Sequence, residues 1–175
     1  LKTAGELLTD LLDISKLDSG MVEVNRRDFA VGEVLNALAI EFDAMAQDSQ
    51  IKFTLIPSKL TVNSDPALLR RILQNFLTNA YRYARGGRVL MGCRRCGDHI
   101  EIQVFDTGCG IGADDIKEIF REFKRLNHPS SRNVSGLGLG LAIADRISKV
   151  LEHDINVTSQ LGDGSMFSVL VPLGK

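Results

Sequence analysis

The chain has 175 residues, 44% hydrophobic and 25% charged, the proportions of a globular domain able to bury a core. A formal net charge of -1 removes the electrostatic case for a binder of nucleic acid or other polyanions. Three cysteines, an odd number, argue against a disulfide scaffold and fit a reducing cytoplasm, and no apolar run reaches the length of a membrane span.

The first residue is not Met and no leader opens the chain, as expected of a piece of a longer protein. Residues 3–18 (TAGELLTDLLDISKLD) carry Leu7, Leu8, Leu11, Leu12 and Ile14 at helical spacing, with Gly20 as the stop. The apolar face of such a terminal helix needs a partner, either the domain behind it or the rest of a helical bundle. MVEVNRRDFA (21–30) reads as a strand. Residues 31–48 read as a helix with Val34, Leu35, Leu38, Phe42 and Met45 inward, and QIKFTLIP and KLTVNS as short strands.

Asp65 and Pro66 then open a helix, as N-cap and first helical residue, that runs to Ala84 before Gly86 and Gly87. GRVLMGCRR and DHIEIQVFD form a hairpin around residues 96–98. A helix is expected over 114–123, then a polar segment, then a helix over 140–152. DINVTSQL and SMFSVLVPL form a second hairpin across GDG. Two hairpins among alternating helices and strands predict an α/β fold, a two-layer α/β sandwich whose mixed β-sheet has helices on one face, with an N-terminal helical stump. Cys93 and Cys96 have C-x-x-C spacing, but three residues apart on a strand they diverge, and they read as ordinary strand cysteines.

The helix over 66–84 raises a question of its own. Leu68, Leu69, Ile72, Leu73, Phe76, Ala80 and Tyr83 form its broad apolar face, yet Asn75 and Asn79 stand in its interior, where asparagine is a poor helix former. Asn75, Asn79 and Arg82 line up along one edge of that face. Two neutral oxygen donors and a cation suit a hydrated Mg²⁺ and the phosphates beside it. A polar boundary stripe facing water is the other reading of the same residues.

Two glycine clusters follow. DTGCGIGADD (106–115) comes directly after a strand. Its GCGIGA matches the loose G-x-G-x-x-G/A pattern, but no strand follows the next helix, so the dinucleotide reading fails. SGLGLGLAI (135–143) sets alternating glycines at a helix start, where free N–H groups and the helix dipole favour an anion. No Gly-Lys-Ser/Thr makes it a Walker loop.

In their order, Asn-x3-Asn on a helix, D-x-G-x-G-I after a strand, Phe120-x2-Phe123 and G-x-G-x-G-L at a helix start, these motifs resemble the catalytic and ATP-binding domain of sensor histidine kinases. That domain has the Bergerat fold shared with gyrase, chaperone and mismatch-repair ATPases. The resemblance covers residues 24–173, and IFREFKRLN and GLGLGLAIADRI are similar to the kinase branch. It implies two parts: residues 1–20 as the end of the second helix of a dimerisation and phosphoacceptor domain, and 21–175 as the catalytic and ATP-binding domain.

The resemblance also implies roles. Asn79 would be the main Mg²⁺ ligand, with Asn75 beside it on metal or phosphate. Arg82 would contact phosphate and, with Asn75, act in transfer, while Tyr83 would flank the nucleotide. Asp106 would accept from the adenine amine, a contact that selects against guanine at that edge. Gly108, Gly110 and Ile111 would close over the base, and Ser165 stands where the family often has Thr near the adenine. Gly136, Leu137, Gly138, Leu139, Gly140 and Leu141 would bind phosphate through the backbone. Leu137 departs from a place often held by Ser or Thr. Residues 124–137 would form the ATP lid, with Arg125 and Arg132 as phosphate contacts. Phe120 and Phe123 would pack under the lid, or equally serve as core.

The activity implied is donation of the ATP γ-phosphoryl to a histidine in two-component signalling. His99, His128 and His153 are each expected at the surface, and none sits on a suitable helix, so the acceptor belongs upstream of Leu1. Partners implied are that acceptor and dimerisation domain, in a homodimer of the full-length protein, and a response-regulator receiver domain. The setting is cytoplasmic, whether or not the parent protein is anchored to a membrane. The alternatives are a degenerate nucleotide-binding module that signals without transfer and a serine kinase of the anti-sigma type. Asn75 stands where the ATP-hydrolysing relatives carry Glu, which implies poor ATP hydrolysis.

Overall fold

The computed structural model describes residues 4–84, 86–124 and 138–175, with Glu6 as backbone only. The elements run α1 (Ala4–Asp18), β1 (Arg27–Ala30), α2 (Gly32–Ser49), β2 (Lys52–Leu55), β3 (Thr61–Ser64) and α3 (Pro66–Tyr83). Then come β4 (Arg88–Cys96), β5 (His99–Asp106), α4 (Ala113–Ile116), α5 (Gly140–Leu151), β6 (Ile155–Gln160) and β7 (Gly164–Pro172).

A mixed sheet in the order β2-β4-β5-β7-β6 is parallel between β2 and β4 and antiparallel elsewhere; β1 and β3 form a separate antiparallel pair. Strand alternation puts Val89, Met91, Ile100, Ile102, Val104, Phe167, Val169 and Val171 into the core. Above them lies α3, whose Phe76 ring meets Phe167 at 5.4 Å between centroids, with α5 and α2 packed on α3. This is the expected two-layer α/β fold. Burial of those side chains supplies most of the driving force for it. Among the described residues no helix is long and apolar enough to cross a membrane.

Local chemistry explains α3. Asp65 Oδ1 accepts from the N–H groups of Ala67 (2.9 Å) and Leu68 (3.0 Å), and Pro66 needs no partner at the first helical position. Asp65 Oδ2 also accepts from Asn25 N (2.8 Å), so one carboxylate caps the helix and anchors the preceding chain. After Ala84 the left-handed Gly86 (φ +70°) turns the chain into β4.

Five expectations need correction. Met45, expected inward on α2, is 46% exposed. The first strand covers only Arg27–Ala30 rather than 21–30, because β3 offers just four residues to pair with. The helix expected over 114–123 is the single turn α4, followed by turns that end at Phe123 in a left-handed conformation (φ +57°). On α3 the buried face includes Leu77 and Tyr81, while Tyr83 is half-buried; Tyr81 OH donates to Phe42 O (2.9 Å), which draws that residue inward. His153 is buried rather than at the surface, its Nε2 2.8 Å from Ser64 Oγ, and burial pushes its pKa down to about 4.

α1 docks through Ile14 and Leu17, both buried. Arg71 of α3 pairs with Asp13 and lies 3.6 Å from Asp10; Arg146 of α5 pairs with Asp18 (2.8 Å) and with Glu122. Leu8, Leu11 and Leu12 remain exposed on its other side.

Candidate functional site

Asn75, Asn79 and Arg82 lie half-buried along one edge of α3. Asn75 Nδ2 donates to Arg71 O one turn back (3.0 Å), which fixes the amide by one of its two N–H donors and orients its oxygen. That oxygen lies beside the start of α5: a Cβ built on Gly140 would sit 3.0 Å from Asn75 Oδ1. Among the described residues no side chain caps α5, whose N-cap residue Leu139 is buried, and the first-turn N–H groups, as in any helix, have no intrahelical acceptor. An amide-lined helix edge thus meets an uncapped helix start, a combination suited to an anion and its cation. Gly138 (φ +74°) lies against the backbone of Phe123 and Lys124, and Leu141 packs half-buried on the core.

The other end of the site is built on the last residue of β5. Asp106 is buried and its Oδ1 accepts from Gly108 N (2.8 Å). Burial pushes its pKa up to about 6, against the Gly108 and Ser165 backbone N–H groups that pull it down. A Cβ at Gly108 would lie 2.7 Å from Asp106 Oδ1 and 2.8 Å from Tyr83 O, so the loop is seated against the end of α3. Gly110 is more constrained: with φ +69°, its Cβ would fall 1.9 Å from Gln160 O. Ile111 is buried, and its N–H donates to Ser159 Oγ (2.8 Å). Burial pushes the thiol of Cys109, in the same loop, upward.

The fold therefore brings Asn75, on the edge it shares with Asn79 and Arg82, to Gly140, and Tyr83 to Gly108, Asp106 and Ser165. Arg125, Arg132, Gly136 and Leu137 lie outside the described residues. Phe120 packs half-buried on the core, whereas Phe123 is exposed. Sequence reasoning missed Ser159, which bonds the glycine loop to the second hairpin. Its signal was its place on the inward side of β6, with Ile155 and Val157.

A buried carboxylate at a strand end, a glycine loop seated against it and an amide beside a helix start are the chemical parts that a nucleotide site needs. Residues 64–175 match the family model described as "Histidine kinase-, DNA gyrase B-, and HSP90-like ATPase". The chain belongs to that family. Within this ATPase family it is similar to the sensor histidine kinase RcsC of Escherichia coli (strain K12), 32% identical over 171 residues that cover 96% of this chain and 18% of that protein. It is also similar to the autoinducer 2 sensor kinase/phosphatase LuxQ of Vibrio vulnificus (strain YJ016), 31% identical over 178 residues, 97% of this chain and 21% of that protein. The chain thus spans about a fifth of the length of these curated relatives. Among solved structures, full-length ShkA in complex with AMPPNP superposes with a TM-score of 0.84 at 26% identity, over 97% of this chain and 36% of that one.

Proposed function

We propose that the chain binds Mg²⁺-ATP and donates the γ-phosphoryl to a histidine on a dimerisation domain outside it, as the catalytic and ATP-binding domain of a sensor histidine kinase. The observation that carries the reading is the meeting of Asn75 Oδ1 with the uncapped start of α5. An amide held by one N–H on its own helix keeps its oxygen beside the α5 start, the kind of hard, neutral donor that magnesium takes.

Asn79 and Asn75 would hold the metal, which supplies charge neutralisation on the phosphates. Asp106 accepts from the exocyclic amine of the base, and the backbone at Gly108, Gly110 and Ile111 shapes the pocket wall. Arg82 and the first-turn N–H groups of α5, from Gly140 and Leu141, take up phosphate charge, joined by Gly138 and the lid residues Arg125, Arg132, Gly136 and Leu137. A bond forms from an imidazole nitrogen to the γ-phosphorus while the bond to the β–γ bridging oxygen breaks, and ADP leaves. Such transfer depends on positioning and electrostatics. Asn75 cannot take a proton from water, so ATP hydrolysis is slow and the phosphoryl is kept for its acceptor.

In this reading residues 1–20, with α1, end the second helix of the dimerisation domain. The exposed Leu8, Leu11 and Leu12 support it, as a face that the rest of a bundle would cover. The full-length protein acts as a homodimer whose phosphohistidine passes to a response-regulator receiver, and the chain works in the cytoplasm. The test mixes it with an acceptor-helix domain and γ-labelled ATP. Acid-labile phosphate on histidine, lost in Asn79→Ala, is the expected result. Acid-stable phosphoserine, or no transfer at all, overturns the reading.

A further inference from the structure

Asp106, Ser165 and Ser159 occupy one row across three strands: Asp106 pairs with Ser165 between β5 and β7, and Ser165 pairs with Ser159 between β7 and β6. Paired residues of antiparallel strands point to the same face, about 5 Å apart at Cβ. The row lies on the helix-facing side of the sheet, at its site end.

Hydrogen-bond bookkeeping along the row gives a direction. Among the described residues Ser159 Oγ has three hydrogen-bond neighbours: Ile111 N at 2.8 Å, Gly164 O at 2.8 Å and Ser165 Oγ at 2.9 Å. A hydroxyl has one proton to give and two lone pairs to fill. The Gly164 carbonyl can only accept, so the Ser159 proton goes there. The Ile111 N–H can only donate, so it fills one lone pair. The second lone pair faces Ser165, which must therefore donate its own proton back to Ser159. Ser165 is left with lone pairs only for whatever lies beside Asp106.

We infer that Ser159 is a positioning residue that fixes the Ser165 hydroxyl as a hydrogen-bond acceptor toward the base pocket, so that Ser165 and Asp106 together favour a base carrying an exocyclic amine. The inference rests on the ATP reading of the site and adds to it how acceptor character is set. An amine has two hydrogens to give; a pocket with two acceptors takes both, and a base with no amine leaves those acceptors unmatched.

The test measures binding of the Mg²⁺ complexes of ATP and of purine riboside triphosphate, which lacks the amine, by calorimetry. The wild-type chain prefers ATP by tenfold or more. Ser159→Ala narrows that preference at least threefold, because Ser165 is then free to turn its proton into the pocket. Ser159→Thr, which keeps the hydroxyl, restores it, and adding Ser159→Ala to Ser165→Ala narrows it no further than Ser165→Ala alone. If Ser159→Ala weakens both nucleotides equally, or the two changes add, Ser159 merely holds the loop and the inference fails. If the wild-type chain binds neither nucleotide, or binds both alike, the ATP reading falls, and the inference with it.

Discussion

The two ends of the site are built differently. At the base end the parts interlock: Asp106 is held by Gly108 N, Gly110 is pressed on Gln160 O, and Ile111 is tied to Ser159. At the phosphate end, Asn75 on the half-buried edge of α3 faces the start of α5, with Asn79 and Arg82 further along the same edge. Residues at the base end therefore serve fold and ligand at once, whereas at the phosphate end the Asn75 side chain bonds only within its own helix and that of Asn79 makes no hydrogen bond among the described residues. Substitutions should separate accordingly.

The largest effect is expected at Gly110. Gly110→Ala combines a left-handed backbone with a Cβ 1.9 Å from a carbonyl oxygen, so the loop must move. We expect a loss of about 3 kcal/mol or more in chemical denaturation, with nucleotide binding lost as well. Asn79→Ala should behave in the opposite way. Phosphoryl transfer should fall about 100-fold or more, as for removal of one preorganised transition-state contact. Stability should stay within about 0.5 kcal/mol, since the half-buried group removed makes no hydrogen bond among the described residues. If the two variants lose stability and activity in parallel, the contrast between the two ends is wrong.

Asp106→Asn tests the base end more finely. With the amide oxygen kept on Gly108 N, its NH₂ would face the pocket, a donor where the base also donates. We expect about a tenfold loss of ATP affinity by calorimetry. The pH dependence has a definite sign. The folded pKa of about 6 lies above the ordinary 3.8, so the native state binds more protons between these values. Unfolding free energy should therefore fall as pH rises from about 4 to 6, and this component should vanish in Asp106→Asn. ATP affinity should decline as pH drops through about 6 in the wild-type chain but stay flat, relative to it, in the variant.

The same division sets what could be read without coordinates. α3 was legible because cap, proline, period and glycine stop all agreed, and its polar edge and the Asp106 loop lie within short stretches of chain. The fold class followed from hairpins and helices whose signals are likewise local. What escaped depends on distant partners. Tyr81 rather than Tyr83 turns inward because its hydroxyl reaches Phe42 O on α2. A helix was expected over 114–123, yet Phe123 is exposed with positive φ and its backbone meets Gly138. His153 is buried against Ser64, 89 positions away, and Ser159 has its role only through a strand register that places it opposite Ser165.

The smallest effects concern α1, which is fastened beside the phosphate end by two arginines. Arg71 meets Asp13 and Asp10, whose side chains are 27% and 12% exposed, whereas the Asp18 side chain that meets Arg146 is 56% exposed. Water screens the second pair more, so Arg71→Ala should cost about 1 kcal/mol and Arg146→Ala about 0.5 kcal/mol. Hydrogen exchange at the α1 amides reads both, and both losses should shrink at 0.5 M salt. Asn75 is bonded to the carbonyl of Arg71 and not to its guanidinium, so Arg71→Ala leaves that amide in place. ATP affinity should then stay within about twofold of wild type while α1 exchanges faster. A larger loss would mean that the docking of α1 reaches the phosphate end through the Arg71 side chain, and that this end is not as independent of the fold as its geometry implies.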